Sequence, residues 1–195
     1  MARNEMAMMA EKKKAILEST LKLIKENGFH GTPMSQVAKK AGVAAGTIYH
    51  YFDSKDTLIQ ELYTYTQYRL LDAIKENSRE DMDYKARFFS HWISRCMFYI
   101  QNPNSLFFME QFVNSPYVQR CSKEQDERFQ KEVIQFIESG IENNYLRPMN
   151  PRLMRMMIYS SALTAAKLHL SEQLTLSQAD LQQLAQMVWD GIKKD

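Results

Sequence analysis

The sequence predicts an all-helical (all-α) protein, and three of its features carry that expectation. Glycine and proline are scarce, at 6 and 5 of 195 residues, while Leu, Met, Gln, Glu, Lys and Ala, which lose least on entering a helix, are plentiful. Apolar residues recur at helical spacing along most of the chain. No segment alternates apolar and polar residues between hairpin turns, and no internal repeat occurs.

From Ala10 to Asn27, Ile16, Leu17, Leu21, Leu23 and Ile24 share one side of a helix, with Lys and Glu opposite, and Gly28 ends it. A second helix is expected from near Thr32, whose hydroxyl can cap free amides, with Pro33 in the first helical position, where a missing N–H is harmless. Val37, Ala38 and Ala41 give it an apolar face before Gly42 stops it. Ala44 to Tyr51 reads as a short helix, and Ser54 as the cap of a long amphipathic one running through Leu58, Ile59, Leu62 and Tyr65 to Ile74. Farther on, Asn102-Pro103-Asn104 and Ser115-Pro116 interrupt two aromatic-rich helical segments. Ser122 and Gln125 have the spacing of a capping box for a helix reaching about Asn144. After Asn150-Pro151, the stretch from Leu153 to Leu170 is apolar on nearly every face and must be covered on more than one side. Ser177 caps a last helix carrying Leu181, Leu184, Val188 and Ile192. About nine helices are expected, a three-helix N-terminal head joined by a long fourth helix to a C-terminal bundle.

No apolar run approaches the roughly 20 residues that cross a bilayer, and the first ten residues lack a secretory pattern, so a cytoplasmic protein is expected. Cys96 and Cys121 are expected as free thiols. Net charge is only +2, but its distribution is uneven. Residues 1–55 hold nine Lys and Arg against five Asp and Glu, and the remainder sixteen against eighteen. Positive charge is concentrated where a nucleic-acid-binding head would need it.

The most informative stretch is residues 28–55, GFHGTPMSQVAKKAGVAAGTIYHYFDSK. It reads as two short helices joined by a Gly-containing turn, with Ala38 permitting close approach and Val43 and Ile48 as apolar anchors, the anatomy of a helix-turn-helix. Its G-F-x-x-T, followed by V-A-x-x-A-G-V-x-x-G-T-I-Y-x-Y-F-x-S-K, resembles the N-terminal signature of the TetR family of bacterial repressors. Beyond Lys55 the resemblance is confined to helix number, helix order and length.

The resemblance implies a helix-turn-helix DNA-binding domain over residues 1–55 and an effector-binding and dimerisation domain over 56–195. It makes Ala44 to Tyr51 the recognition helix, with Ala45, Gly46, Thr47, Tyr49, His50 and Tyr51 toward the DNA and Thr32 and Lys55 as phosphate contacts. Ala44 and Ala45 depart from the polar residues common there in the family, so readout at that end is restricted to apolar contact and DNA shape.

A homodimer is expected, because one short recognition helix makes too few contacts and paired heads about 34 Å apart read a palindrome. The interface is expected on the last two helices, through Met154, Ile158, Leu181, Leu184 and Val188. Between head and interface lies a concentration of aromatic and Met side chains suited to an adaptable pocket for a small hydrophobic effector. Its candidates are Tyr65, Tyr68, Phe88, His91, Trp92, Arg95, Phe108, Phe112, Met156 and Tyr159.

Catalysis is not expected: the four His have no metal-ligand spacing, and no phosphate loop or nucleophile elbow occurs. His91 and Cys96, five residues apart on a helix, point about 140° apart. Neither a cofactor nor a metal is called for. Two other functions fit the same helices, an activator in the same fold and a protein-binding adaptor that does not touch DNA; salt dependence separates the adaptor.

Overall fold

The computed structural model describes the backbone of residues 2–79, 81–120 and 123–195 and the side chains of 8–79, 81–120 and 131–195. Among the described residues there are ten helices and no strand. They are α1 (Ala2–Asn27), α2 (Met34–Lys40), α3 (Ala45–Tyr51), α4 (Lys55–Glu76), α5 (Tyr84–Gln101), α6 (Pro103–Val113), α7 (Tyr117–Arg120), α8 (Lys123–Glu142), α9 (Pro151–Leu170) and α10 (Gln178–Ile192). The element beyond the expected nine is α7, four residues after Ser115-Pro116.

The chain forms two compact units. The first comprises residues 1–66 and 107–121, the second 67–106 and 122–195. The division therefore falls within α4 and α6, not at residue 55, and one stretch of the C-terminal region belongs with the head. Phe29 explains this: its ring meets Phe108 edge-on at 6.1 Å and Tyr117 at 5.1 Å.

In the first unit, the inward stripe of α1, including Ile16, Leu21 and Ile24, is buried with Val37, Ala38, Ile48, Phe52 and Leu62. Gly28 and Gly42 end α1 and α2 with φ of 68° and 69°, a left-handed conformation that glycine adopts without a Cβ penalty. The expected cap of α2 is corrected. Pro33 itself is the N-cap, and no side chain caps that helix. The Thr32 hydroxyl instead donates to the Gly28 carbonyl at 2.8 Å, fastening the turn that follows α1. Ser54 does cap α4, accepting from the Thr57 amide at 3.1 Å.

In the second unit, α5 packs against α9 and α10, and α8 against α9. Asp83, Asn150 and Ser177 cap α5, α9 and α10, Ser177 in a capping box with Asp180. The box expected at Ser122 and Gln125 lies outside the described residues, as does Cys121. No helix among the described residues is long and apolar enough to cross a membrane.

Candidate nucleic-acid interface and ligand cavity

On α3, Ile48 is fully buried, and so is Phe52 just beyond the helix, which anchors one side of it. Ala45, Gly46, Tyr49 and His50 are consequently exposed, and Thr47 and Tyr51 half-buried. Positions 45, 46, 49 and 50 are neighbours at helical spacing, so they form a single outward face. Tyr49 is 54% exposed, a large aromatic ring held in water by the helix that carries it.

Thr32 and Lys55 are placed differently from the phosphate contacts expected of them. Thr32 is buried, with its hydroxyl committed to Gly28. The Lys55 ammonium donates to the Phe29 carbonyl, and burial lowers its pKa, opposed by the neighbouring Asp56. Both residues therefore brace the segment between α1 and α2. Lys13 pairs with Glu61 at 3.0 Å and Lys40 with Glu26 at 2.8 Å, while Lys12, Lys14 and Lys39 are exposed.

The ten residues expected to line one pocket are separated. Phe88, His91, Trp92 and Arg95 line a cavity of about 490 Å³ in the second unit, together with residues of α4, α8 and α9. Tyr65, Phe108 and Phe112 belong to the first unit. There the Tyr65 hydroxyl donates to Glu18 at 2.6 Å and Phe112 stacks on Tyr63 at 4.5 Å. Tyr68 is not among the lining residues, and Met156, 52% exposed, points away from the core. Tyr159 sits behind the wall, its hydroxyl 2.8 Å from that of Tyr99 and its ring 5.3 Å from the Arg95 guanidinium.

The cavity has apolar walls from Leu71, Ile74, Phe88, Trp92, Ile137 and Ile158. It also has basic residues that the sequence did not single out: Lys75, Arg79, Arg87 and Arg155. The spacing of Arg87, His91 and Arg95 at i, i+4 and i+8 was a signal in the sequence that could have placed Arg87 with the other two. His91 lies 3.1 Å from the Ser78 hydroxyl, and its pKa is pushed down to about 4, by burial first and then by Arg95 and Arg87. It is therefore neutral at physiological pH. Cys96 is a buried free thiol whose pKa burial raises to about 12, so it is protonated at physiological pH.

The interface candidates are also redistributed. Met154, Ile158 and Leu181 are buried inside the second unit, so they are core rather than contact surface, while Leu184 and Val188 are half-buried. The apolar side chains that α9 and α10 leave in water are Leu153, Met156, Met157 and Met187, between 50% and 64% exposed.

Two family models match the chain: "Bacterial regulatory proteins, tetR family" over residues 16–62, and "Tetracyclin repressor-like, C-terminal domain" over residues 63–194. The chain is 29% identical to the uncharacterized HTH-type transcriptional regulator YhgD of Bacillus subtilis over 153 residues, 75% of this chain and 78% of that one. Other curated regulators match over about a third of their length. In fold it resembles a TetR family transcription regulator of Marinobacter aquaeolei VT8, with a TM-score of 0.87, 18% identity and full coverage of both chains. It also resembles FadR of Bacillus subtilis, solved in complex with stearoyl-CoA, with a TM-score of 0.73 and 22% identity over 91% of this chain and 95% of that one.

Proposed function

The chain belongs to the TetR family of bacterial transcriptional regulators, and from that premise we propose that it is a ligand-responsive repressor, which binds a palindromic operator as a homodimer and is released by a small, largely apolar effector. The observation that carries the proposal is the outward face of α3, where Tyr49 and His50 stand exposed on a helix anchored by buried Ile48 and Phe52. A helix held in this way can enter a major groove without losing its own packing. Thr47, Tyr49, His50 and Tyr51 are the residues assigned to base and backbone contact, with Ala45 and Gly46 allowing close approach. Operator DNA sets the cytoplasm as its place of action.

Dimerisation is supported by the exposed apolar side chains of α9 and α10, which suit an isologous helical interface around Met156, Met157 and Met187. Effector binding is supported by the cavity of the second unit and by FadR, whose complex with stearoyl-CoA exemplifies ligand binding in this fold. Release is then a population shift: the effector prefers a conformation whose heads are wrongly spaced for the operator. Helix α4, which carries Lys55 at its start and supplies Leu71 and Ile74 to the cavity, is the element through which the two sites communicate.

The proposal is tested by fluorescence anisotropy with the intergenic DNA upstream of the protein's own gene and a scrambled duplex, each at two salt concentrations. Tight binding selective for the intergenic duplex, weakening steeply with salt, is expected. Equal and weak binding to both duplexes would count against an operator at that site, and binding indifferent to salt would remove DNA from the function.

A further inference from the structure

One buried and two half-buried arginines around one cavity need an explanation, because a charge taken out of water is stable only when it is paired or hydrogen-bonded. Of the five basic side chains lining the cavity of the second unit, two have partners: Lys75 pairs with Glu132 at 2.9 Å and Arg79 with Asp81 at 3.1 Å. Among the described residues, Arg87, Arg95 and Arg155 have no carboxylate partner, and Glu132 is the single acidic residue lining the cavity. Arg95 is only 5% exposed. The Nε atoms of all three are buried without a hydrogen-bond partner. An Nε–H beside a terminal N–H forms the parallel pair that receives both oxygens of a carboxylate or phosphate side-on. The two ring contacts of these arginines, Arg87 over Phe136 at 5.4 Å and Arg95 over Tyr159 at 5.3 Å, hold guanidinium planes in place without occupying their N–H groups.

We propose that this cavity binds an organic anion, an apolar body carrying a carboxylate or phosphate group that is gripped by Arg87, Arg95 and Arg155. Positive charge here is not spent on the fold. Neutral His91, between Arg87 and Arg95 on the same face of α5, adds a polar group without adding to the repulsion. Leu71, Ile74, Phe88, Trp92, Ile137 and Ile158 cover the apolar body, and about 490 Å³ is room for a small molecule rather than for a simple ion. The inference deepens the effector reading given above and rests on it for its biological meaning.

Three probes with one chain and different heads test it on the full-length protein: dodecanoate, dodecyl phosphate and dodecanol, titrated by calorimetry. At least one anion is expected to bind about tenfold or more tightly than the alcohol, as hydrogen bonds to a charged group imply. The tighter of the two identifies the head group. Arg95→Met, Arg87→Gln and Arg155→Gln are each expected to shrink the preference for anion over alcohol several-fold. Arg95→Met is also expected to raise the Tm of the ligand-free protein, since it removes a buried charge; a residue placed there to hold the fold would lower it. The half-buried Arg87 and Arg155 keep the test decisive if Arg95→Met does not fold. Equal affinity for the three probes, binding of none of them, or a preference unchanged in all three variants would overturn the proposal. The effector reading stands or falls separately. Arginine-dependent anion binding that leaves operator affinity unmoved sinks that reading and keeps the site, whereas release of the operator by dodecanol alone does the reverse.

Discussion

Single residues differ in how far their surroundings reassign them. Tyr49 is exposed on α3, so Tyr49→Ala should leave the unfolding free energy within about 0.5 kcal/mol of wild type and reduce operator affinity about tenfold or more. Anisotropy titration and a thermal melt on the same sample check both halves. Thr32 and Lys55 were legible as important but not in what they do. Their polar atoms bond to the Gly28 and Phe29 carbonyls, partners that only the folded turn after α1 brings near. His91 carries a pH signature. Its folded pKa of about 4 lies below the ordinary 6.5, so the unfolded chain binds the extra proton between those values. The resulting stabilisation is complete above about pH 6.5 and is lost as pH falls toward 4, amounting to at most about 3 kcal/mol. The urea midpoint of wild type should therefore fall relative to that of His91→Gln as the pH is lowered from 7 to 4.5; parallel curves would show that burial of His91 has no such consequence.

At the scale of elements, helical periodicity located the segments well and their neighbours poorly. The stretch ending at Leu170 was apolar on nearly every face, so its sequence did not say which face was covered from inside. Packing against α5 and α8 chose the side of Met154, Ile158 and Ala162, leaving Leu153, Met156 and Met157 outside. A second decision of this kind is Gly140 on α8. Tyr84 stacks between Phe136 and Tyr145 at 4.6 and 4.9 Å and donates its hydroxyl to the Phe136 carbonyl at 2.8 Å. A Cβ at residue 140 would stand 2.2 Å from that hydroxyl oxygen and 2.8 Å from Leu146 Cδ1. Gly140→Ala, which in an exposed helix would stabilise, should here cost about 1–3 kcal/mol and lower the Tm. A raised Tm would show that α8 can shift away from α5 at no penalty.

At the scale of the whole molecule, the exposed apolar side chains of the last two helices set the prediction for assembly. Met157 is 60% exposed in the protomer, so Met157→Glu should barely change the stability of an isolated chain. Burying that carboxylate unpaired in a helical interface is costly, however, and the variant should move from dimer to monomer in light scattering coupled to size exclusion. Operator affinity should fall with it, because one head loses the partner that doubles its contacts. A Met157→Glu protein that remains dimeric at wild-type affinity would place the interface on another surface. The division into units belongs to this scale as well. Residues 107–121 join the head through Phe108, Phe112 and Tyr117, although their composition matches that of the cavity-lining segments before them.

By itself the sequence determined the helical class, most helix boundaries and the short helix α3, because these rest on local spacing, on capping residues such as Ser54 and Ser177, and on a motif contiguous from Gly28 to Lys55. Tertiary structure alone decided which aromatic residues share a core and which methionines face water. It also decided that Arg87, Arg95 and Arg155 converge on one cavity with their Nε atoms unsatisfied. The physical reason is range: helix formation is dictated by residues three and four apart, whereas a cavity is assembled from α4, α5, α8 and α9, whose facing sides are selected by packing across up to 87 positions of chain, from Leu71 to Ile158.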